Sequence, residues 1–159
     1  MTPEWLEKLT SGAQSLGIVL DHEAAQRLGI FADRLIEWGS KMDLSSIDDP
    51  DGIRERHFLD SLSGLDSFAG EGEVADLGSG AGFPGLVIAA VRPELRVVSV
   101  ESRSKKGAFQ RQVVRDLGLR NVEVVSLRAE DVVAVRPPPR WVTARALSDL
   151  DSTESTTDL

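Results

Sequence analysis

Cysteine is absent from all 159 residues, which excludes a disulfide framework, a thiolate metal site and a thiol nucleophile. Long apolar runs are missing too: none approaches the ~20 residues of a membrane span. The first residues, MTPEWLEKLTSG, lack the basic-then-apolar layout of a signal peptide. The expectation is therefore a cytoplasmic protein with neither membrane nor metal among its partners. Cations are in short supply, 18 Lys and Arg against 26 Asp and Glu for a net charge of −8. Taken whole, that balance disfavours phosphate contacts. Its distribution is uneven, however. Between Glu101 and Arg145 ten basic residues face five acidic ones, while the first 72 residues and the C-terminal tail carry the acidic excess. What is present, 41% apolar and 28% charged residues, is ordinary for a soluble globular domain, and the length suits one core.

The N-terminal part reads as helical. Trp5–Leu16 and His22–Met42 have helical periodicity, and in the second Leu28, Phe31, Leu35, Trp38 and Met42 form one apolar stripe with Asp21 as N-cap. A turn-rich DLSSIDDPDG precedes a third helix over Ile53–Leu65. After about residue 72 the pattern alternates. Strands are expected at Val74–Leu77, Arg96–Val100, Val122–Leu127 and Trp141–Ala144, and helices at Pro84–Val91, Lys105–Leu117 and Glu130–Val135. Such alternation implies βαβ units and a parallel sheet with helices on both faces. The expected division is a helical portion over 1–72, an α/β domain over 73–150 and a polar tail over 151–159 with too little apolar content to fold.

The chemistry is concentrated in VADLGSGAGFPGLVIAA, Val74 to Ala90. No Gly-Lys-Ser/Thr follows the glycines, so this is not a Walker loop. Gly80, Gly82 and Gly85 spell GxGxxG, but the turn off the strand is at Gly78, and counting from there the third fingerprint position is Phe83. The fitting pattern is apolar-Asp-Leu-Gly-x-Gly-x-Gly, with Asp76 at the strand end. That acid suits a ligand with a positive centre, and Glu101, ending the next strand, suits two ribose hydroxyls. Together they describe S-adenosyl-L-methionine, a Rossmann-like class I methyltransferase reading. The competing reading is a tight turn beside a solvated glutamate.

The acceptor is narrowed by what the chain lacks. Cytosine C5 methylation by the usual route needs a cysteine. The Asp/Asn-Pro-Pro-aromatic motif of amino-group methylation is replaced by TARALS, with Arg145 in the acidic or amide position. Acceptors with a free lone pair remain, such as guanine N7, which needs placement rather than a base.

Three stretches carry a specific likeness: EWGSKMDLSSIDDPDGIRERHFLDSL (Glu37–Leu62), the glycine loop running on through Arg-Pro, and ESRSKKGAFQRQVVRDLGLRNVEVVSLRAED from Glu101. Through them the chain resembles the bacterial small-subunit (16S) ribosomal RNA guanine-N7 methyltransferases, the glucose-inhibited division protein B family, over about residues 4 to 150. The resemblance implies cofactor contacts from Asp76, the backbones of Gly78, Gly80 and Phe83, the ribose at Glu101, and adenine beside Ala129 and Glu130. It also implies Arg145 as a positioning group at the cofactor or substrate side. Lys105, Lys106, Arg111 and Arg115 become candidates for contacts to 16S rRNA or the small-subunit particle. His57 and Asp60 are expected to pack the helices against the glycine loop, His57 in a structural capacity. Plainer readings stand beside these: Glu130 and Asp131 as acids in a helix's first turn, and Lys105 and Lys106 as a solvated face.

Two departures follow. The family's Asn-Leu-Thr reads Asp43-Leu44-Ser45 here, an anion in place of an amide. Family members also continue beyond the fourth strand to complete a seven-stranded sheet, whereas after Leu150 the likeness stops. A C-terminally shortened member is expected, with C-terminal strands missing and an open sheet edge available for self-association. The alternative to an active enzyme is a truncated, non-catalytic member that keeps the cofactor loop.

Overall fold

In the computed structural model, residues 1–44 and 49–145 are described; the expected tail lies outside them. Helix α1 (Pro3–Ser15) starts where Thr2 Oγ1 accepts the Trp5 N–H at 3.1 Å, with Pro3 in the first turn. Helix α2 (His22–Gly39) begins at Asp21, whose Oδ1 accepts the Ala24 N–H at 2.7 Å, as its sequence predicts. The third helical region is less regular than its periodicity suggests. It runs as α3 (Pro50–Ile53), a π-helical segment (Arg54–Leu59) and α4 (Asp60–Ser63), followed by a single 3₁₀ turn (Leu65–Ser67). Asp49 caps it through the Gly52 N–H at 2.7 Å.

Strands β1 (Gly72–Leu77), β2 (Leu95–Val100), β3 (Val122–Val125) and β4 (Trp141–Ala144) alternate with helices α5 (Gly85–Val91), α6 (Ser104–Leu117) and α7 (Ala129–Val135). Strand β3 stops two residues before the expected Leu127. Every pairing is parallel, in the order β3-β2-β1-β4. Period-two alternation sorts the side chains of β2. Leu95 and Val97 face the large core shared with α5 and α6, while Val98 and Val100 pack with Val132 of α7 on the other face. The second face is thinly covered. Val142 on β4 is 58% exposed, and Val133 and Val135 also lie open.

The main core does not divide at residue 72. Trp5, Leu9, Leu28, Phe31 and Phe58 from the N-terminal helices belong to one cluster with Phe83, Leu86, Ile88, Val97 and Phe109 from the α/β part. Arg34 of α2 pairs with Asp116 of α6 at 2.8 Å, and the Trp5 indole N–H donates to the Pro50 carbonyl at 2.9 Å. Phe31 is fully buried against the rings of Phe58, Phe83 and Phe109. Phe31→Ala is expected to cost about 3–5 kcal/mol. Urea unfolding followed by far-ultraviolet dichroism and by tryptophan fluorescence should shift together as one transition, because helices and sheet share that cluster.

Candidate cofactor site

Parallel pairing brings distant residues to one edge. The last paired row is Val125–Val100–Leu77–Ala144. The next residue of each strand, Ser126, Glu101, Gly78 and Arg145, therefore starts a connection at the same carboxyl edge, where ligands of open α/β sheets bind. Ala129 and Glu130 open α7 four and five residues after that row.

The glycine loop is built on two acids. Glu101 is 6% exposed; its Oε2 accepts the Gly80 N–H at 2.7 Å and its Oε1 accepts the Arg103 N–H at 3.0 Å. Each oxygen retains a lone pair for a further donor. Gly80 has φ +59°, and nothing lies within 4 Å of where a Cβ would stand. The loop is thus open to a ligand at the residue that Glu101 holds. Asp76 lies deeper than a strand-end position suggests, with no exposed surface. Its Oδ2 accepts the Gly85 N–H at 2.8 Å and its Oδ1 has no hydrogen-bond partner. Gly85 is required by this closeness, since a Cβ there would come 2.6 Å from Oδ2. Burial pushes the Asp76 carboxyl up to about 8, against the lowering effects of the Gly85 amide and Arg145, with Glu101 adding to the rise.

Phe83 turns its side chain away from the open side. Its ring stacks on His57 (centroids 4.7 Å, 15°) and on Phe31 (4.8 Å, 10°), and its N–H is used on the Ser79 carbonyl at 3.2 Å. Burial, reinforced by the charge of Arg145 and opposed by Asp60, pushes the half-buried His57 imidazole down to about 4. It is neutral at ordinary pH. Arg145 reaches across to the π-helical segment and not into the glycine loop, donating to the Arg56 carbonyl and pairing with Asp60 Oδ2 at 3.1 Å.

Of the four basic candidates on α6, two come together. Lys105 and Lys106 line a cleft of about 500 Å³ with Lys41, Asp43, Leu44 and Arg103. Arg111 is instead tied to β3 through Ser126 Oγ (2.7 Å) and the Val124 carbonyl (3.4 Å), and Arg115 donates to Gln112 at 2.9 Å. Neither lines that cleft. Lys41 and Arg103 were not singled out from the sequence, because the turn after α2 and the residue before α6 meet only in the folded chain. The buried polar pair Ser99 and Gln110 was also missed. The available signal was a polar residue interrupting an apolar stripe in both β2 and α6. Among the described residues no cluster of His, Asp and Glu could hold a metal ion, and no helix is long and apolar enough to cross a membrane.

The architecture matches solved methyltransferases. A protein-L-isoaspartate O-methyltransferase superposes with a TM-score of 0.61 at 18% identity, covering 87% of this chain and 47% of that one. An SAH-bound methyltransferase of Podospora anserina gives 0.53 at 17%, covering 84% and 62%. The fold is that of the Rossmann-like class I methyltransferases. In sequence, residues 24–158 match the model of the rRNA small subunit methyltransferase G family, GidB. The chain belongs to this family. The match runs beyond Leu150, where the likeness had been expected to end. Curated relatives named ribosomal RNA small subunit methyltransferase G include that of Geobacter sp. strain M21, 39% identical over 92% of this chain and 68% of its own length. Another, from Roseiflexus sp. strain RS-1, is 41% identical over 91% and 64%. The chain spans about two thirds of the relatives it matches.

The buried aspartate has a consequence for stability. The folded state keeps its proton to about pH 8, whereas an unfolded aspartate releases it near ~3.9. Between those values the native state binds more protons, so this group's contribution falls as pH rises and levels off above the folded value. In chemical denaturation across pH 4 to 9, Asp76→Asn should remove that decline. The variant's stability relative to the parent should be highest at the alkaline end.

Proposed function

We propose that the chain is an S-adenosyl-L-methionine-dependent methyltransferase acting in the cytoplasm on guanine N7 of 16S ribosomal RNA, free or in the small-subunit particle. One observation carries the reading. In a chain of this family, a glycine loop open at Gly80 meets Glu101 at the carboxyl edge of a parallel sheet, with the unpartnered Asp76 Oδ1 beneath. S-adenosylmethionine supplies a methyl group activated on a sulfonium.

The residues present fit that group. Glu101 offers its remaining lone pairs to the ribose hydroxyls, and Gly78 and Gly80 admit the ligand to the backbone. Ala129 and Glu130 flank the place for adenine. Asp76 Oδ1 gives an ammonium group its acceptor and would surrender its proton on doing so. A guanine N7 carries a lone pair, so no side chain has to remove a proton. Catalysis by this chain is placement of two reactants against each other. The neutral His57 holds Phe83 and serves no acid-base role, and Arg145 acts through the π-helical segment, positioning the helical signature over the site. The cleft of Lys41, Arg103, Lys105 and Lys106 supplies the phosphate contacts that the chain's overall charge would deny.

Purified protein should bind S-adenosylmethionine calorimetrically and transfer its methyl to 16S rRNA lacking the modification, at guanine N7. Binding without transfer would favour the non-catalytic reading instead, and no binding would remove both. Lys105→Ala and Lys106→Ala should each weaken RNA affinity and lower the slope of log affinity against log salt by about 0.7. Asp43→Asn should act oppositely, tightening RNA severalfold at low salt without altering cofactor affinity.

A further inference from the structure

The glycine loop is gripped from beneath by three buried polar side chains to which neither the cofactor nor the RNA assignment gives a part. Ser99 on β2 and Gln110 on α6 are fully buried, and Ser79 in the loop is nearly so. Ser99 Oγ lies 2.5 Å from Gln110 Oε1 and 2.7 Å from Ser79 Oγ. Gln110 Nε2 donates to Ser79 Oγ at 2.8 Å and to the Gly80 carbonyl at 2.7 Å. Counting protons settles the directions. A carboxamide oxygen only accepts, so the single Ser99 hydroxyl proton goes to Gln110. The two amide protons of Gln110 go to Ser79 and Gly80. The Ser79 proton then returns to Ser99, its other acceptor, the Val100 carbonyl, being farther at 3.3 Å. The result is a closed ring in which every donor is used once and each bond polarises the next.

Ser99 shares the core face of β2 with Leu95 and Val97, and Gln110 lies between Phe109 and Val113 of α6, these apolar neighbours being members of the main cluster. Leucine at 110 would bring no polar group of its own but would open the ring and orphan the Gly80 carbonyl. What glutamine adds is a hold on Gly80. That residue is clamped on both sides, its carbonyl by Gln110 and its amide by Glu101. We propose that Gln110, supported by Ser99, is a positioning residue that sets cofactor affinity by fixing Gly80 against Glu101. The assignment rests on the reading of this loop as the S-adenosylmethionine pocket. It makes α6 a physical link between that pocket and the basic cleft, whose Lys105 and Lys106 lie in its first turn.

The test compares the parent chain with Gln110→Leu, Ser99→Ala and the double variant. Hydrogen exchange at the Gly80 amide should accelerate about tenfold or more, with Val74 and Ala75 in β1 nearly unchanged. That factor matches ~1.4 kcal/mol, within the range for an orphaned buried acceptor. The dissociation constant for S-adenosylmethionine, and its KM in methyl transfer, should rise about tenfold as well. At saturating cofactor kcat should stay close to the parent's. The double variant should add little to Gln110→Leu, since both break one ring. Loop exchange that is unchanged, or raised equally throughout the sheet, would reduce Gln110 to a core-packing residue and overturn the proposal. So would faster loop exchange with unchanged affinity. If Gln110→Leu does not fold, Ser99→Ala, which keeps the Gln110–Gly80 bond but frees Oε1, carries the same expectations at smaller amplitude. A parent that binds no cofactor removes the pocket reading and the affinity claim with it, while loop exchange still reports separately whether the ring holds Gly80.

Discussion

The stacking of Phe83 between Phe31 and His57 is the contact on which the rest of the arrangement depends. One ring belongs to the glycine loop, one to α2 and one to the π-helical segment, so three parts of the chain are fixed by a single side chain. Stacked or edge-on aromatic pairs contribute about 0.5–1.5 kcal/mol beyond their buried area, and Phe58 adds an edge-on contact to the same ring at 5.2 Å. His57 and Phe58 are consecutive, yet both reach Phe83. Both lie in the π-helical segment, and such segments tend to occur at functional sites. A loop rich in glycine has little intrinsic reason to adopt one shape. With its phenylalanine captured in the core, it has one.

Much of this was legible because two periodicities differ. Four strands and the flanking helices could be placed from alternation and apolar stripes, and the parallel sheet then brings Gly78, Glu101 and Arg145 to one edge. The π-helical segment was not legible, since an apolar spacing of three and four does not distinguish it from an ordinary helix. Nor was the depth of Asp76. A strand-end acid reads as a solvent-facing ion, but the missing side chain of Gly85 lets the Asp76 carboxyl sink beneath the loop, where burial keeps its proton. The division near residue 72 reflects a real change of pattern, and yet side chains from both parts fill one core.

Charge shows why composition alone misleads. The basic surplus between Glu101 and Arg145 is not one patch. Arg136 pairs with Glu123 at 2.9 Å, Arg140 reaches the Glu71 carbonyl and lies over the Trp141 ring, Arg111 is held by β3 and Arg145 by Asp60. These cations stitch strands and helices together. The cleft takes only Arg103, Lys105 and Lys106 from that segment and gains Lys41 from the turn that follows α2, so its character comes from tertiary packing. Asp43 stands in the same cleft and offsets part of it.

The two ends of the proposed chemistry are therefore not independent. Helix α6 carries the lysines of the cleft at its start and, less than two turns later, the glutamine that grips Gly80. Its far end is pinned to α2 through Asp116 and Arg34, and α2 also supplies Phe31 to the Phe83 stack. A displacement of α6 at the cleft would be resisted by both ties and felt at the loop through the Gln110–Gly80 bond. Packed cores pass such shifts between discrete arrangements more readily than they absorb them. On the proposed function, an RNA leaning on the first turn of α6 would act on the same rigid body that shapes the proposed cofactor pocket.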